Sequence, residues 1–252
     1  MGFIKDTIKS FKPIDIAIWS SSVIAIILAF ILTHSTDYIT LATSLIGATS
    51  LIFIAKGNVI GQIICVCFSI FYGVVSYYNR YYGEMITYLC MSLPIEVASI
   101  VTWLRNPSKS GHSEVKVNTV RGKEYGLLCL LSVTITAAFF FILRALNTNE
   151  LIVSTVSVTT SFVAAYLTMR RSEFYGLAYG ANDIVLIVLW SISTYKNIQY
   201  LPMVICFVIF LVNDVYGFVN WKRAKHLQFE KSQEADTAPT DTTLDETPPA
   251  DV

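Results

Sequence analysis

The chain has 252 residues, 54% apolar and 14% charged, and its 18 basic and 18 acidic side chains cancel to a net charge of +0. A soluble domain carries about a quarter charged residues, so an ordinary soluble globular protein is excluded, and no basic excess points to nucleic acid. Several apolar stretches reach the roughly 20 residues a helix needs to cross a bilayer core, and none alternates as barrel strands do.

The fold class expected is therefore an all-α integral membrane protein with eight transmembrane helices. In chain order the spans are Ile14–Thr33, Tyr38–Ile54, Val59–Tyr77, Met85–Leu104, Tyr125–Leu146, Leu151–Met169, Phe174–Thr194 and Tyr200–Trp221. The second and sixth are rich in Ser and Thr, and the basic residues decide that they are spans. With the N-terminus in the cytoplasm, fifteen of the 18 Lys and Arg fall inside, and only Arg80, Arg144 and Lys196 fall outside, as the positive-inside rule expects. Dropping any middle span would put later basic clusters on the wrong side. Both ends are thus expected in the cytoplasm. The five cysteines all lie within spans and read as buried, inert thiols.

Spans two to four recur as spans six to eight. Lys56 falls opposite Arg171 and Gly61 opposite Gly176 at a separation of 115, Ser76 opposite Ser193 at 117, and Glu96 opposite Asp214 and Trp103 opposite Trp221 at 118. The organisation expected is residues 1–37 as a cytoplasmic N-terminus and extra helix, 38–104 as a first three-helix repeat, and 105–123 as a basic cytoplasmic loop. Residues 124–147 follow as a connector helix and 148–223 as a second repeat. Residues 224–252, acidic and from Lys231 onward almost without aliphatic side chains, are expected to be a disordered cytoplasmic tail. Both repeats run from outside to inside, so they are parallel, and transporters commonly place their site at such an interface near the midplane.

Polar residues inside the spans mark that site. In span four, Tyr88, Ser92, Glu96 and Ser99 lie on one helical face, and in span seven Tyr175, Tyr179, Asn182 and Asp183 do the same. Span eight carries Asn213 and Asp214, then Tyr216, Gly217 and Asn220. Polar groups in a span often only bond neighbouring helices, but acids there are costly and usually mark a pathway. Glu96, Asp183 and Asp214 have no basic residue within any span, so they are protonated, solvated by a cavity or placed to meet a cation. Phe68 and Tyr72 lie deep enough in span three to line a pathway. The small residues of spans two and six, Ser50 and Ser161 among them, read first as close-packing surfaces. The absences are informative too. There is no phosphate loop of the GxxxxGK[ST] kind, the three histidines lie in loops or the tail, and no nucleophile–base pair is evident. No cofactor is expected, and transport outweighs enzymatic or receptor readings.

The segments AKGNVIGQ, YYGEMITYL, ASIVTWLRNP, SVTTSFVAAYL, YGANDIVLIVLW and VYGFVNWKR, in this order from Leu41 to Arg223, make the chain similar to the PnuC family of bacterial nicotinamide riboside transporters. The resemblance implies a three-helix, connector, three-helix fold of the SWEET type, preceded here by one extra helix. It implies facilitated diffusion of nicotinamide riboside, an NAD precursor, trapping by a cytoplasmic kinase, and a homotrimer in the bacterial cell membrane. It also implies a substrate-lining W-x-x-N motif, which reads Tyr179-Gly180-Ala181-Asn182 here, and an acid followed four residues later by Gln, which reads Glu84 and Tyr88. The substrate-binding candidates are Asn182, Tyr179, Asp183, Asn213, Tyr88, Glu96, Asp214, Tyr175 and Phe68. An aromatic face can hold a pyridinium cation, and Asn can pair with an amide or hydroxyl. The alternative is a related porter for thiamine, riboflavin or a deoxynucleoside, with or without proton coupling.

Overall fold

The computed structural model describes residues 11–108 and 114–237, with side chains as far as Gln233. Among these residues are eight helices long and apolar enough to cross a membrane. They are α1 (Pro13–Leu32), α2 (Tyr38–Ala55), α3 (Val59–Tyr78), α4 (Tyr82–Leu104), α5 (Gly122–Ala145), α6 (Leu151–Met169), α7 (Tyr175–Lys196) and α8 (Leu201–Thr237). Among the described residues the fold is all-helical apart from isolated β-bridges in the turns and central loop, and the Ser/Thr-rich second and sixth spans are both present.

The two halves pack reciprocally. Helices α2, α3 and α4 form one group and α6, α7 and α8 the other. Across the interface α2 lies against α8, and α6 against α4. The last turns show why. Trp103 Nε1 donates to the Thr168 carbonyl at 3.0 Å and Thr102 Oγ1 to the Met169 carbonyl at 3.1 Å. In the other half Trp221 Nε1 donates to the Ile54 carbonyl at 2.9 Å and Asn220 Nδ2 to the Ala55 carbonyl at 2.6 Å. A helix leaves its last carbonyls without partners. Here the third helix of each half supplies donors to the last carbonyls of the first helix of the other, adding to Gly57 N on the Ile54 carbonyl and Arg171 N on the Thr168 carbonyl. The two indoles meet at 5.4 Å between ring centroids. This end of the bundle is called the tryptophan end below.

The turns refine the register of the repeat. Gly57 between α2 and α3 has φ +67°, and Arg171 between α6 and α7 has φ +57°. Next, the Asn58 side chain accepts from Ile60 N at 2.9 Å, and Ser172 Oγ accepts from Phe174 N at 3.3 Å. The left-handed residue and the cap after it coincide at a separation of 114, so Lys56 corresponds to Arg170 and not to Arg171. Glycine bears that conformation freely, while Arg171 bears it at a cost of about 1–2 kcal/mol. The central loop fastens both turns at once, with Val115 N donating to the Gly57 carbonyl and Asn118 N to the Arg171 carbonyl, each at 2.9 Å.

Helix α8 does not stop where the sequence suggests. The disordered tail expected from residue 224 is helical as far as Thr237, and residues 238–252 lie outside the described residues. The extension is held from the side. Lys225 Nζ pairs with Glu173 at 2.5 Å, and Gln228 accepts from Val117 N at 3.0 Å and donates to the Val115 carbonyl at 3.3 Å. Such tertiary contacts override a weak local hydrophobic signal.

Helix α4 is irregular in the middle. Residues Thr87–Ser92 form a π-helical turn between two α-helical pieces. Pro94 follows after Leu93 and cannot donate a backbone hydrogen bond, so the regular ladder is interrupted there. Outward faces are apolar, as on α5 with Leu130, Val133 and Phe141. The interior holds the small polar side chains, and many satisfy themselves on their own helix: Thr43 Oγ1 donates to the Ile39 carbonyl at 2.7 Å and Thr168 Oγ1 to the Ala164 carbonyl at 2.9 Å.

Close approach of α2 and α3 depends on Gly61. A Cβ there would fall 2.6 Å from Ile54 N and 2.9 Å from the Ser50 carbonyl oxygen, both backbone atoms. Gly61→Ala is expected to cost about 3 kcal/mol by overpacking. Gly126→Ala on α5, where nothing lies within 4 Å, should be neutral or stabilise by up to about 1 kcal/mol. Thermal unfolding of the detergent-solubilised protein checks this, and equal effects at the two sites would contradict the packing described.

Candidate functional site

A narrow cavity of about 40 Å³ lies between the two halves. Its walls come from α2, α3, α4, α6, α7 and α8, and its polar lining is dominated by three carboxylates, Glu96, Asp183 and Asp214. All three are buried. Glu96 Oε1 accepts from Ser69 Oγ at 2.6 Å and Cys65 Sγ at 3.5 Å, while its Oε2 has no hydrogen-bond partner among the described residues. Asp183 adjoins Asp214 across the α7–α8 contact, and its Oδ2 is also unpartnered. No ion pair among the described residues involves any of them. The lining therefore presents acidic groups and no basic one, which suits a cation better than an anion.

Asn182 is held from α6. Its Oδ1 accepts from Thr160 Oγ1 at 2.8 Å, Ser161 Oγ at 2.9 Å and Ser157 Oγ at 3.4 Å. Three hydroxyls on one amide oxygen fix the side chain and leave its NH₂ as the group that can face the cavity. The Ser/Thr stripe of α6 thus has two jobs, packing and orientation of Asn182.

Aromatic layers close the cavity at both ends. At the tryptophan end, Trp221 stacks edge-on against Tyr175 at 4.7 Å and beside Trp103. At the other end, the tyrosine end below, Tyr72 packs on Tyr88 at 4.5 Å, on Phe68 at 5.5 Å and on Phe207 at 5.6 Å. Trp190 Nε1 donates to the Tyr72 hydroxyl at 2.9 Å, and the Tyr81 hydroxyl bonds Ser193 Oγ. Phe68, Tyr88, Tyr179 and Phe210 present rings to the cavity itself. A pocket for a nucleoside-sized ligand measures about 300–1,000 Å³, so this conformation is occluded at both ends and has room for water only.

A family model described as nicotinamide mononucleotide transporter matches residues 37–223, well over half of the chain. The chain belongs to this family. It is a multi-pass membrane transporter and not an enzyme. It is similar to the nicotinamide riboside transporter PnuC of Neisseria mucosa, with 24% identity over 211 residues, covering 82% of this chain and 80% of that protein. The corresponding PnuC of Haemophilus influenzae is 22% identical over 224 residues, covering 87% of this chain and 94% of that one. A solved structure, described as the crystal structure of the vitamin B3 transporter PnuC, superposes with a TM-score of 0.80 at 21% identity, over 90% of this chain and 99% of that chain. That likeness establishes the fold.

Within this family fold, the structure brings seven of the nine candidates to the cavity: Phe68, Tyr88, Glu96, Tyr179, Asn182, Asp183 and Asp214. It does not bring Asn213 or Tyr175 there. Asn213 Nδ2 donates to Ser22 Oγ on α1 at 3.3 Å and to the Ile209 carbonyl at 2.9 Å. These contacts turn Asn213 to α1, while Asp214, 100° further round α8, faces the cavity. The stripe Asn213, Tyr216, Gly217 and Asn220 faces α1, α2 and α7. Tyr175 is fully buried against Trp221, in the aromatic layer rather than the lining. Trp190, further along the same helix, belongs to the tyrosine end. Glu84, the family-type acid, is fully buried beside Ser157, outside the cavity lining, with neither oxygen in hydrogen-bonding geometry. The candidates do not include Cys65 or Phe210, Ser92 reads only as part of the polar face of span four, and Ser50 and Ser161 read as packing residues; all five line the cavity. The usable signal was position, since Ser92 lies one helical turn from Glu96 on the same face.

Proposed function

We propose that the chain imports nicotinamide riboside by facilitated diffusion with alternating access. The observation that carries this is the acidic, aromatic-lined cavity between two closed layers at the interface of the halves. Nicotinamide riboside is a pyridinium cation with a carboxamide and a ribose. Carboxylates favour its charge, the rings of Tyr179, Tyr88, Phe68 and Phe210 offer it π faces, worth ~2 kcal/mol when desolvated, and the Asn182 amide can donate to its polar groups. The same carboxylates disfavour a phosphorylated nucleotide, because like charges brought together cost several kcal/mol. In this reading a cytoplasmic kinase phosphorylates the imported riboside, which then cannot leave by the same path. The distribution of basic residues supports a cytoplasmic tryptophan end and cytoplasmic termini, and the resemblance to the family supports a homotrimer.

The occluded cavity fits alternating access. Substrate enters when the tyrosine layer parts and leaves when the indoles release the α2 and α6 carbonyls. Counterflow in proteoliposomes tests the whole reading. Labelled nicotinamide riboside should enter against an excess of unlabelled riboside inside, without added energy, and the mononucleotide should not compete. No exchange would defeat the reading. A second reading rests on Tyr179 and Tyr88, which stand where the family pattern has Trp and Gln. It makes the substrate another vitamin or nucleoside, such as thiamine, riboflavin or a deoxynucleoside. A thermal-shift panel decides, with stabilisation by one of these and none by nicotinamide riboside favouring the alternative.

A further inference from the structure

The matched family region begins at residue 37, so α1 lies outside it. The structure nevertheless ties α1 to the transport core by a charge. Asp15, in the first turn of α1, is fully buried. It accepts from Lys12 N at 2.7 Å, from the Tyr216 hydroxyl, and meets Lys56 Nζ at 3.3 Å. Lys56 is the C-cap of α2. It directly follows Ile54 and Ala55, whose carbonyls hold Trp221 and Asn220.

The second half repeats each part. Glu124 lies in the first turn of the connector α5, three residues after its N-cap Arg121, as Asp15 lies three after Lys12. It accepts from Arg170 Nη2 and from the Tyr166 hydroxyl, both at 3.0 Å. Arg170 is the C-cap of α6 and directly follows Thr168 and Met169, whose carbonyls hold Trp103 and Thr102. The helix contacts agree. Helix α1 packs on α2 and α8, and α5 packs on α6 and α4. Lys56 and Arg170 are separated by the same 114 residues as the two left-handed turn residues that follow them.

We propose that α1 is the first half's counterpart of the connector, and that Asp15 and Glu124 are positioning residues that hold the carbonyl-bearing last turns of α2 and α6 in place and so keep the tryptophan end closed. Their weights differ. The Asp15 and Lys56 side chains are 0% and 6% exposed, whereas Glu124 and Arg170 are 18% and 41% exposed. Solvent weakens an exposed pair, while removing one partner of a buried pair strands the other charge. Asp15 is therefore the dominant tie. This proposal rests on the alternating-access reading, but its test needs no substrate.

The test uses Cys65, which lines the cavity, in a chain whose other four cysteines are replaced by serine. A membrane-impermeant methanethiosulfonate is applied to either face of oriented proteoliposomes. Asp15→Asn keeps the shape of the side chain and removes its charge. Cys65 is expected to react about tenfold faster from the tryptophan end, with the tyrosine-end rate unchanged. Glu124→Gln should change the tryptophan-end rate by less than about twofold. The charge swap Asp15→Lys with Lys56→Asp should return the rate towards that of the parent. Lys56→Gln, which breaks the same pair from the other side, should match Asp15→Asn and serves if that variant does not fold. An unchanged rate in both single variants overturns the proposal, and so does an equal rise at both ends, which would mark general loosening. A Cys65 unreactive from both ends in the parent overturns alternating access and the proposal with it. Exchange of a different vitamin in counterflow would change the substrate and leave these rates as expected.

Discussion

Asp183→Asn is expected to cut counterflow of nicotinamide riboside about a hundredfold, equivalent to roughly 3 kcal/mol of lost charge complementarity. Asp183 is buried, has an unpartnered oxygen on the cavity side of α7 and adjoins Asp214. Asn fills the same space, so packing changes little and the loss reports charge. The neutral dihydropyridine form of the riboside provides the control. Its exchange should fall by no more than about threefold, because it has no charge to lose a partner for. Asp214→Asn should behave like Asp183→Asn, and the double variant should fall short of the product of the single losses, since the two acids share one space. Equal losses for the charged and neutral ribosides would show that Asp183 is structural.

Trp221→Ala is expected to be the most destabilising single change at the tryptophan end, at about 3–5 kcal/mol. The indole is 2% exposed, packs on Trp103 and Tyr175, and satisfies the Ile54 carbonyl. Alanine leaves a cavity and takes one of two donors from the Ile54 carbonyl, which keeps Gly57 N at 2.8 Å. Trp221→Phe keeps a ring and loses the N–H, so its cost should be nearer 1 kcal/mol. In a domain of this size 1 kcal/mol moves the midpoint by about 2–4 °C, so thermal unfolding separates the two variants. A similar small shift for both would mean that the indole is not the keystone of this layer. Trp103→Ala should resemble Trp221→Ala, because the reciprocal packing puts both rings to the same use.

Much of this was legible in the sequence. Span number followed from hydropathy and from the sorting of Lys and Arg, because the bilayer acts on composition over a whole helix and tolerates small errors of boundary. Glu96 and Asp214, and Trp103 and Trp221, were paired by the repeat, and each pair occupies matching places across the interface. The absence of any base near the mid-span acids was also readable, since every Lys and Arg could be assigned to a loop or a span end. Asn213 and Tyr175 do not line the cavity. In span eight, Asn213, Tyr216 and Asn220 form as good a polar stripe as any, yet that stripe faces α1 and α2, and the cavity receives Asp214 alone. Periodicity says which residues share a face. It does not say which neighbour the face meets.

The sequence by itself determined the fold class, the repeat, the basic asymmetry and the chemistry available at mid-span, because each is a sum over local properties that survive any arrangement of the helices. Only the tertiary structure decided which polar groups meet. It gave Asn182 three hydroxyls from α6 and gave Asp15 the buried lysine at the end of α2. It also carried α8 past Arg223 on contacts with the central loop. Those outcomes depend on rotation of each helix about its axis and on contacts between residues 21 to 113 positions apart. In a protein whose outside is lipid, hydrophobicity does not set that rotation, because both faces of a helix can be apolar. Hydrogen bonds and close packing between helices set it instead.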